Sequence, residues 1–256
     1  MARFKVGVQL EPQHCSVEEL RAAWRAADEM GADSIWTWDH FFPLSGDPDG
    51  LHFEGWSLLA GMACDTSRAT IGILVTCNSY RNPDLLADMA RTVDHLSGGR
   101  VILGLGAGWC ERDYDEYGYE FGTAATRVGA LGPGIARIKA RLATLNPKPL
   151  GPLPLLIGGE GEDVTLRLVA QHADMWNGFG PVAKFLHKSA VLDNWSAKVG
   201  RDPSTIERTV LLNPPRDLDH VDDFLAAGAA HMIVPGRAPF ELGDLEALLG
   251  LANGGS

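Results

Sequence analysis

The stretch Val101-Ile102-Leu103-Gly104-Leu105, which runs on into Gly106-Ala107-Gly108, decides the fold class of this chain. It is continuously apolar, and so is Ile71-Gly72-Ile73-Leu74-Val75 earlier in the sequence. Runs of this kind are typical of strands in a parallel sheet covered on both faces, whereas half-exposed antiparallel strands alternate apolar and polar residues. We therefore predict a parallel sheet flanked by helices.

A β-then-α unit recurs eight times along the 256 residues. The predicted strands cover residues 4–10, 34–40, 69–76, 100–106, 153–158, 173–179, 206–213 and 231–235. The predicted helices cover about 17–30, 54–66, 83–97, 124–143, 162–171, 182–200, 219–227 and 240–250. Ser16 is a good N-cap, Pro83 a good first helical residue, and Gly98 a good helix stop.

Two α/β architectures can hold eight such units, a closed barrel or a doubly wound sheet. Eight units in ~250 residues is the usual size of a (β/α)8 barrel. A doubly wound sheet also places a glycine-rich turn after its first strand, and Gln9-Leu10-Glu11-Pro12-Gln13 is not one. The sequence thus predicts a single (β/α)8 TIM-barrel domain over residues 1–256.

Composition and charge exclude several classes of function. The formal net charge of −11 disfavours nucleic-acid binding, which needs clustered Lys and Arg, and adhesion to anionic lipid. No apolar run reaches the ~18 residues of a membrane span, and the first residues lack the apolar segment of a signal peptide. The four cysteines form neither a CxxC pair nor a zinc spacing with His, which suits a reducing compartment. We expect a cytoplasmic protein with a small-molecule substrate.

The end of the second strand carries the most reactive pair of side chains, Asp39-His40. In (β/α)8 barrels, catalytic groups come from the carboxyl ends of the strands. Histidine exchanges protons near neutral pH, and a neighbouring carboxylate can fix its tautomer. Adjacent strand residues face opposite ways, so both reach one site only at a bent strand end. The alternative is a strand-end histidine held by a structural carboxylate.

Two glycine turns follow neighbouring strands, Gly106-Ala107-Gly108 and Gly158-Gly159-Glu160-Gly161. Small residues let backbone N–H groups approach a phosphate, and the second turn precedes a helix whose N-terminus offers further donors. Tight βα turns without a ligand are the alternative. Glu160 and Glu162 are unfavourable neighbours for a phosphate.

Tryptophans fall at or near several strand ends, at positions 36, 38, 109 and 176. Aromatic side chains clustered at one rim can stack on a planar ring, although single tryptophans are more often core residues. Cys77 lies at the end of the third strand without a histidine near it in sequence. We therefore interpret it as a buried, unreactive residue rather than a nucleophile.

Several longer stretches resemble the luciferase-like monooxygenase superfamily. They are residues 76–83 (TCNSYRNP), 92–100 (TVDHLSGGR), 104–109 (GLGAGW), 157–159 (IGG) and 173–177 (ADMWN). The similarity runs over roughly residues 4–180, and the block from LSGGR to GAGW is its specific part. The Trp38-Asp39-His40 strand end is similar to the branch that uses the deazaflavin coenzyme F420, and it also occurs in relatives that use FMN.

The resemblance implies a place for each candidate residue. Asp39 and His40 would lie at the reactive face of the flavin or deazaflavin ring, with Glu111 as a reserve acid. Thr76 to Asn78 would form a bulge behind the ring, which in this family often contains a non-proline cis peptide bond. The candidate cofactor-binding residues are Gln9, Trp38, Thr76, Cys77, Asn78, Gly106, Ala107, Gly108, Trp109, Gly158, Gly159, Glu160 and Asn177.

Two departures from the family pattern bear on function. Residues 145–151 pass almost directly to the fifth strand, where the family usually carries an excursion. A shortened lid leaves the pocket more open or leaves its closure to a partner subunit, and the resemblance implies a homodimer. Glu160 also stands where a small hydroxylic residue is usual, which weakens the case for tight phosphate binding.

The leading hypothesis is an F420-dependent oxidoreductase, in which hydride passes between the deazaflavin and a small organic substrate while His40, steadied by Asp39, moves a proton. An FMN-dependent monooxygenase keeps the fold and changes the ring. A metal-dependent hydrolase needs ligands from several strand ends, and the first strand offers no HxH, so no metal is expected. A non-catalytic cofactor-binding paralogue is the remaining alternative.

Overall fold

The structure, a computed structural model, describes residues 3–254, so the two residues at each end of the predicted domain 1–256 lie outside the described residues. The strands are β1 (Lys5–Leu10), β2 (Ser34–Thr37), β3 (Thr70–Ile73), β4 (Thr76–Cys77), β5 (Val101–Gly106), β6 (Leu155–Gly158), β7 (Met175–Phe179), β8 (Glu207–Leu211) and β9 (His231–Gly236). The helices are α1 (Val17–Met30), α2 (Gly55–Asp65), α3 (Pro83–Ser97), α4 (Glu111–Tyr117), α5 (Ala124–Thr144), α6 (Thr165–His172), α7 (Val182–Lys198), α8 (Val221–Ala226) and α9 (Gly243–Ala252).

All the strand pairings in this sheet are parallel, and the sheet closes on itself. β1 pairs with β2 on one side and with β9 on the other, while β3 pairs with β5. β4 resumes the course of β3 after a bulge and also pairs with β5, so the nine segments form an eight-stranded barrel. The predicted (β/α)8 barrel is confirmed, and the doubly wound alternative is wrong.

Strand alternation separates an interior from an outer core. On β5, Ile102 faces the interior, while Val101 and Leu103 pack against the helices. The barrel interior is filled by Trp36, Leu74, Ile102, Leu156, Met175 and Ile233. Layers of large apolar side chains make the barrel a packed core rather than a pore, so only its ends can hold a ligand.

The helix boundaries follow local chemistry. Ser16 caps α1 in a capping box with Glu19, and Pro83 opens α3 after the Asn82 cap. Gly98 ends α3 in the left-handed conformation (φ 70°), where a residue with a Cβ is disfavoured. These three predicted boundaries are confirmed. No helix between residues 3 and 254 is both long and apolar enough to cross a bilayer.

The bulge lies two residues earlier than the family resemblance implied. A non-proline cis peptide bond joins Leu74 and Val75, whereas Thr76 and Cys77 belong to β4. Glycines make the space that Val75 occupies: a Cβ on Gly106 would lie 2.5 Å from Val75 Cγ2, and one on Gly158 would lie 2.9 Å from Val75 Cγ1. Assigning the bulge to residues 76–78 was therefore wrong.

Candidate active site

A cavity of about 370 Å³ opens at the carboxyl ends of the barrel strands. Eleven predicted site residues line it, namely Asp39, His40, Cys77, Gly106, Ala107, Gly108, Trp109, Gly158, Gly159, Glu160 and Asn177. The lining residues that were not among the candidate site residues are Leu74, Val75, Tyr80, Val128, Gly161, Thr165, Phe179 and Leu211. Because the strand ends converge at one rim, residues far apart in sequence meet in one cavity.

His40 is held by a carboxylate that the sequence did not single out. Its Nδ1 lies 2.6 Å from Asp113 Oδ2, on α4. Asp113 is itself fixed, because Oδ1 accepts a hydrogen bond from the Phe41 N–H (3.0 Å) and Oδ2 accepts one from the Tyr80 hydroxyl (3.0 Å). The predicted pairing of His40 with Asp39 was wrong, and Asp113 takes that role.

The pair with Asp113 controls the charge of His40. Burial of His40 lowers its pKa, but its interactions with the Asp113 carboxylate and with Cys110 outweigh burial and raise the pKa to about 9. In Asp113, burial opposes ionisation, yet the hydrogen bonds from His40 and Phe41 hold the pKa below its usual value. Near neutral pH His40 is thus an imidazolium that donates Nδ1–H to Asp113 at the wall of the cavity.

Asp39 is committed to Arg81 instead. The guanidinium donates to both carboxylate oxygens (2.7 and 2.8 Å), and the Cys77 N–H donates to Oδ2 (2.9 Å). Complete burial raises the pKa of Asp39, and the charge and hydrogen bonds of Arg81 oppose that rise. Two parallel N–H···O bonds are the geometry of an ion pair. Arg81 also donates to Glu54 (2.7 Å). Asp39 therefore anchors the end of β4 at the cavity.

Cys77 faces the cavity but is not a nucleophile. Burial raises the pKa of its thiol, and Sγ lies 3.2 Å from the Tyr114 hydroxyl. A neutral, buried thiol is weakly reactive. The interpretation of Cys77 as a spectator agrees with this environment.

The floor of the cavity is apolar. Val75 and Leu74 form an apolar surface, and any side chain on Gly106 or Gly158 would collide with Val75. The indole of Trp109 stands 65% exposed at the rim, with its ring centroid 5.4 Å from that of His40. Apolar walls with few polar groups are usual for sites that bind planar cofactors.

A comparison with protein-family models matches residues 1–129 to the luciferase-like monooxygenase model. The chain belongs to the luciferase-like monooxygenase family.

Curated relatives of this luciferase-like chain include two kinds of redox enzyme. Pyrimidine monooxygenase RutA of Enterobacter sp. (strain 638) is 30% identical over 188 residues, which cover 64% of this chain and 48% of that protein. A phthiodiolone/phenolphthiodiolone dimycocerosates ketoreductase of Mycobacterium tuberculosis (strain ATCC 25618 / H37Rv) is 28% identical over 260 residues, 85% of this chain and 68% of that protein. The chain spans about half the length of the RutA relative.

Solved structures share the barrel. An F420-dependent secondary alcohol dehydrogenase in complex with an F420-acetone adduct superposes with a TM-score of 0.86 at 15% identity, covering 99% of both chains. The F420-dependent tetrahydromethanopterin reductase of Methanopyrus kandleri gives a TM-score of 0.76 at 15% identity, covering 98% of both chains. At this level of identity the likeness shows the fold.

Five predicted residues of this luciferase-like chain do not line the cavity. Glu111 is exposed at the start of α4, where the inward-facing acid is Asp113. Thr76 faces away from the cavity because alternate residues of β4 point to opposite sides, so Cys77 faces it. Asn78 turns toward α5, with its amide 3.4 Å from the Ala130 carbonyl.

The other two of the five support the site from behind. Gln9 donates to the Leu74 carbonyl (2.6 Å) and so holds the bulge from inside the barrel. Trp38 donates to His52 Nε2 (3.0 Å), and its ring meets that of His40 edge to face. Neither side chain is among the lining residues of the cavity, and the predicted contact of Gln9 and Trp38 with a cofactor stays a prediction.

Three side chains of types that ligate metals come together beside the cavity. His40, Cys110 and Asp113 have their donor atoms within 4.8 Å of one another, and no other such group occurs between residues 3 and 254. The hydrogen bond between His40 and Asp113 places a proton where a metal would bind His40 Nδ1. The expectation that no metal is needed stays a prediction.

A larger depression of about 1150 Å³ lies at the opposite end, where the strands begin. There Glu207 accepts a hydrogen bond from Lys5 (2.6 Å) and lies 3.1 Å from His231 Nδ1. Ser34 Oγ lies 2.8 Å from His231 Nε2, but Ser34 is fully buried and also accepts from Trp36 Nε1. No substrate can reach this hydroxyl, and in (β/α)8 barrels this end serves stability rather than catalysis.

Proposed function

We propose that this chain is an F420-dependent oxidoreductase that transfers a hydride between the deazaflavin and a small organic substrate, with His40 as the proton donor or acceptor. The observation that carries the proposal is the His40–Asp113 pair in the wall of a cavity with an apolar floor at the carboxyl end of the barrel strands. The F420-dependent fold neighbours and the ketoreductase relative support it.

The residues present fit the ring of such a cofactor. Leu74 and Val75 would lie beneath it, and Gly106 and Gly158 leave the space that the Val75 side chain needs. When bound, the ring supplies or accepts the hydride, which is chemistry that no side chain provides. Asp39, through Arg81 and the Cys77 N–H, would keep the floor in place.

The chain's own task is then to move one proton. If the substrate is a ketone, hydride arriving at the carbonyl carbon leaves negative charge on oxygen, and His40 donates its proton there to give the alcohol. The reverse reaction returns the proton to His40. Acid–base help of this kind is typically worth ~10²–10⁴-fold in rate.

Single-turnover kinetics with F420 tests the proposal. His40→Ala is expected to slow hydride transfer by about 10²-fold or more. Asp115→Asn, which changes an exposed acid on α4, the helix that carries Asp113, is the control and should leave the rate unchanged. Unchanged rates in His40→Ala, or no deazaflavin binding in a titration of the wild type, would refute it.

The FMN-dependent monooxygenase is the second candidate, because a curated relative is a monooxygenase. A titration with reduced FMN followed by oxygen consumption separates it from hydride transfer to an organic substrate. The homodimer that the resemblance implies stays a proposal as well, and light scattering measures it directly.

A further inference from the structure

Glu160 occupies an unusual position in the glycine turn between β6 and α6. Its carboxylate points at the wall of the cavity and is only 16% exposed. Oε1 accepts a hydrogen bond from the Phe179 N–H (3.2 Å), and Oε2 forms an ion pair with Lys184 Nζ (2.5 Å). A carboxylate of the chain itself therefore uses one backbone donor and one ammonium group.

These donors are the ones that an incoming anion would use. The turn places Gly158, Gly159 and Gly161 against the cavity, and a Cβ on Gly161 would lie 2.9 Å from Thr165 Oγ1. The first turn of α6 has no side-chain cap. A glycine turn of this kind, next to a helix start and a lysine, suits a phosphate. Here the Glu160 carboxylate is already paired with Lys184.

The charge balance of the cavity points the same way. Within residues 3–254, its charged lining residues are Asp39, His40 and Glu160, and none is a Lys or Arg. Asp39 and His40 are engaged elsewhere. Lys184 reaches the turn only through its ion pair with Glu160. A phosphate at the turn thus meets no uncompensated cation.

We propose that Glu160 is a specificity-determining residue that disfavours a cofactor carrying a phosphate monoester at the glycine turn. A monoester such as that of FMN carries about −1.5 to −2 charge at pH 7. The phosphate of F420 is a diester with a single negative charge, so Glu160 repels it less. The residue thereby biases the cavity toward the deazaflavin and against FMN. This inference rests on the proposed function in taking the cavity as the ring site.

Binding titrations with two ligand pairs test it. Each pair contains one ring with and one without the phosphate: FMN with riboflavin, and F420 with its phosphate-free deazaflavin chromophore. Fluorescence quenching gives each Kd. In the wild type we expect FMN to bind no tighter than riboflavin. In Glu160→Gln, which keeps the side-chain shape, we expect FMN to tighten by roughly 10-fold, F420 by less, and both phosphate-free rings to stay unchanged.

Two further variants sharpen the test. Glu162→Gln removes a neighbouring carboxylate that pairs with Lys188 and His187, outside the cavity lining, and should change no ratio. Lys184→Ala in the Glu160→Gln background should abolish the gain for FMN, because the freed ammonium is its source.

The outcomes separate the two proposals. If the rings bind but Glu160→Gln leaves the FMN-to-riboflavin ratio unchanged, or if wild type binds FMN more tightly than riboflavin, the role of Glu160 is overturned and the proposed function stands. If no member of either pair binds to wild type or variants, the cavity is not a ring site, and both proposals fall.

Discussion

Replacing Asp113 by Asn removes the charge that holds His40 protonated while keeping nearly the same shape. The asparagine can still accept the Phe41 N–H and can donate to a neutral His40 ring, so the contacts around α4 survive. The imidazolium form, in contrast, loses its partner. Burial of His40, which lowers its pKa, then acts with only Cys110 opposing it.

The expected change in the pKa of His40 follows from how far Asp113 and its neighbours raise that pKa in the wild type. The pKa of His40 is raised from 6.5 to about 9, and 2.5 units at 1.36 kcal/mol each correspond to about 3 kcal/mol in favour of the charged form. We expect the pKa to fall by about 2 units or more in Asp113→Asn. At pH 7.5 the protonated fraction would drop from about 97% to roughly a tenth if the pKa returns to 6.5.

NMR titration of the imidazole signals measures this without any cofactor or substrate. The chain has eight histidines, and His40→Gln identifies the signal that belongs to His40. A wild-type midpoint near or below 6.5, or a change of less than about one unit in Asp113→Asn, would contradict the assignment of Asp113 as the residue that positions and charges His40.

The raised pKa of His40 should also make the free energy of unfolding depend on pH in a defined direction. A histidine whose folded pKa is raised contributes stability that is complete below the unfolded pKa and is lost as pH rises through the folded one. The gap in unfolding free energy between wild type and Asp113→Asn should therefore be largest near pH 6 and narrow by about 3 kcal/mol toward pH 10. A gap that does not narrow over this range would place the effect of Asp113 in packing alone.

The remaining predictions concern the fold. Burial opposes ionisation of Glu207, but hydrogen bonds from His231 and Lys5 lower its pKa to about 2. A depressed carboxyl pKa gives stability that is lost on acidification. Glu207→Gln should therefore lower the free energy of unfolding by about 3 kcal/mol at pH 7 and by roughly a quarter less at pH 4. Urea unfolding at both pH values measures this, and an equal cost at both contradicts it. Arg100 donates to the carbonyl groups of four residues and to the Thr66 hydroxyl. Arg100→Lys should therefore lower the free energy of unfolding by about 3 kcal/mol in the same assay. A loss below about 1 kcal/mol would show that these contacts are dispensable.

The barrel could be predicted because it depends on features that are local in sequence. Continuously apolar runs mark buried parallel strands, and eight repeats in one chain favour closure. The helix α4 was missed because its seven residues begin with Glu111-Arg112-Asp113 and are too few for an apolar period to show. The position of the bulge was missed since it depends on space left by glycines of two other strands.

The membership of the cavity was largely predictable, and the partners within it were not. Topology alone brings strand ends together, which is why residues from β5, β6 and β7 meet His40. Partner choice depends on loops: Asp113 is 73 residues from His40, and Arg81 is 42 residues from Asp39. No periodicity relates residues so far apart, so neighbourhood in sequence favoured the pair Asp39–His40.

Arg81 and Asp113 together give Asp39 and His40 different tasks. Arginine does not lose its proton at accessible pH, so Arg81 keeps its charge, and its two hydrogen bonds to Asp39 serve to hold β4. Histidine does exchange its proton, so the His40–Asp113 pair can change charge in the working range. Because Arg81 already engages both carboxylate oxygens of Asp39, the proposed proton transfer at this cavity wall falls to His40.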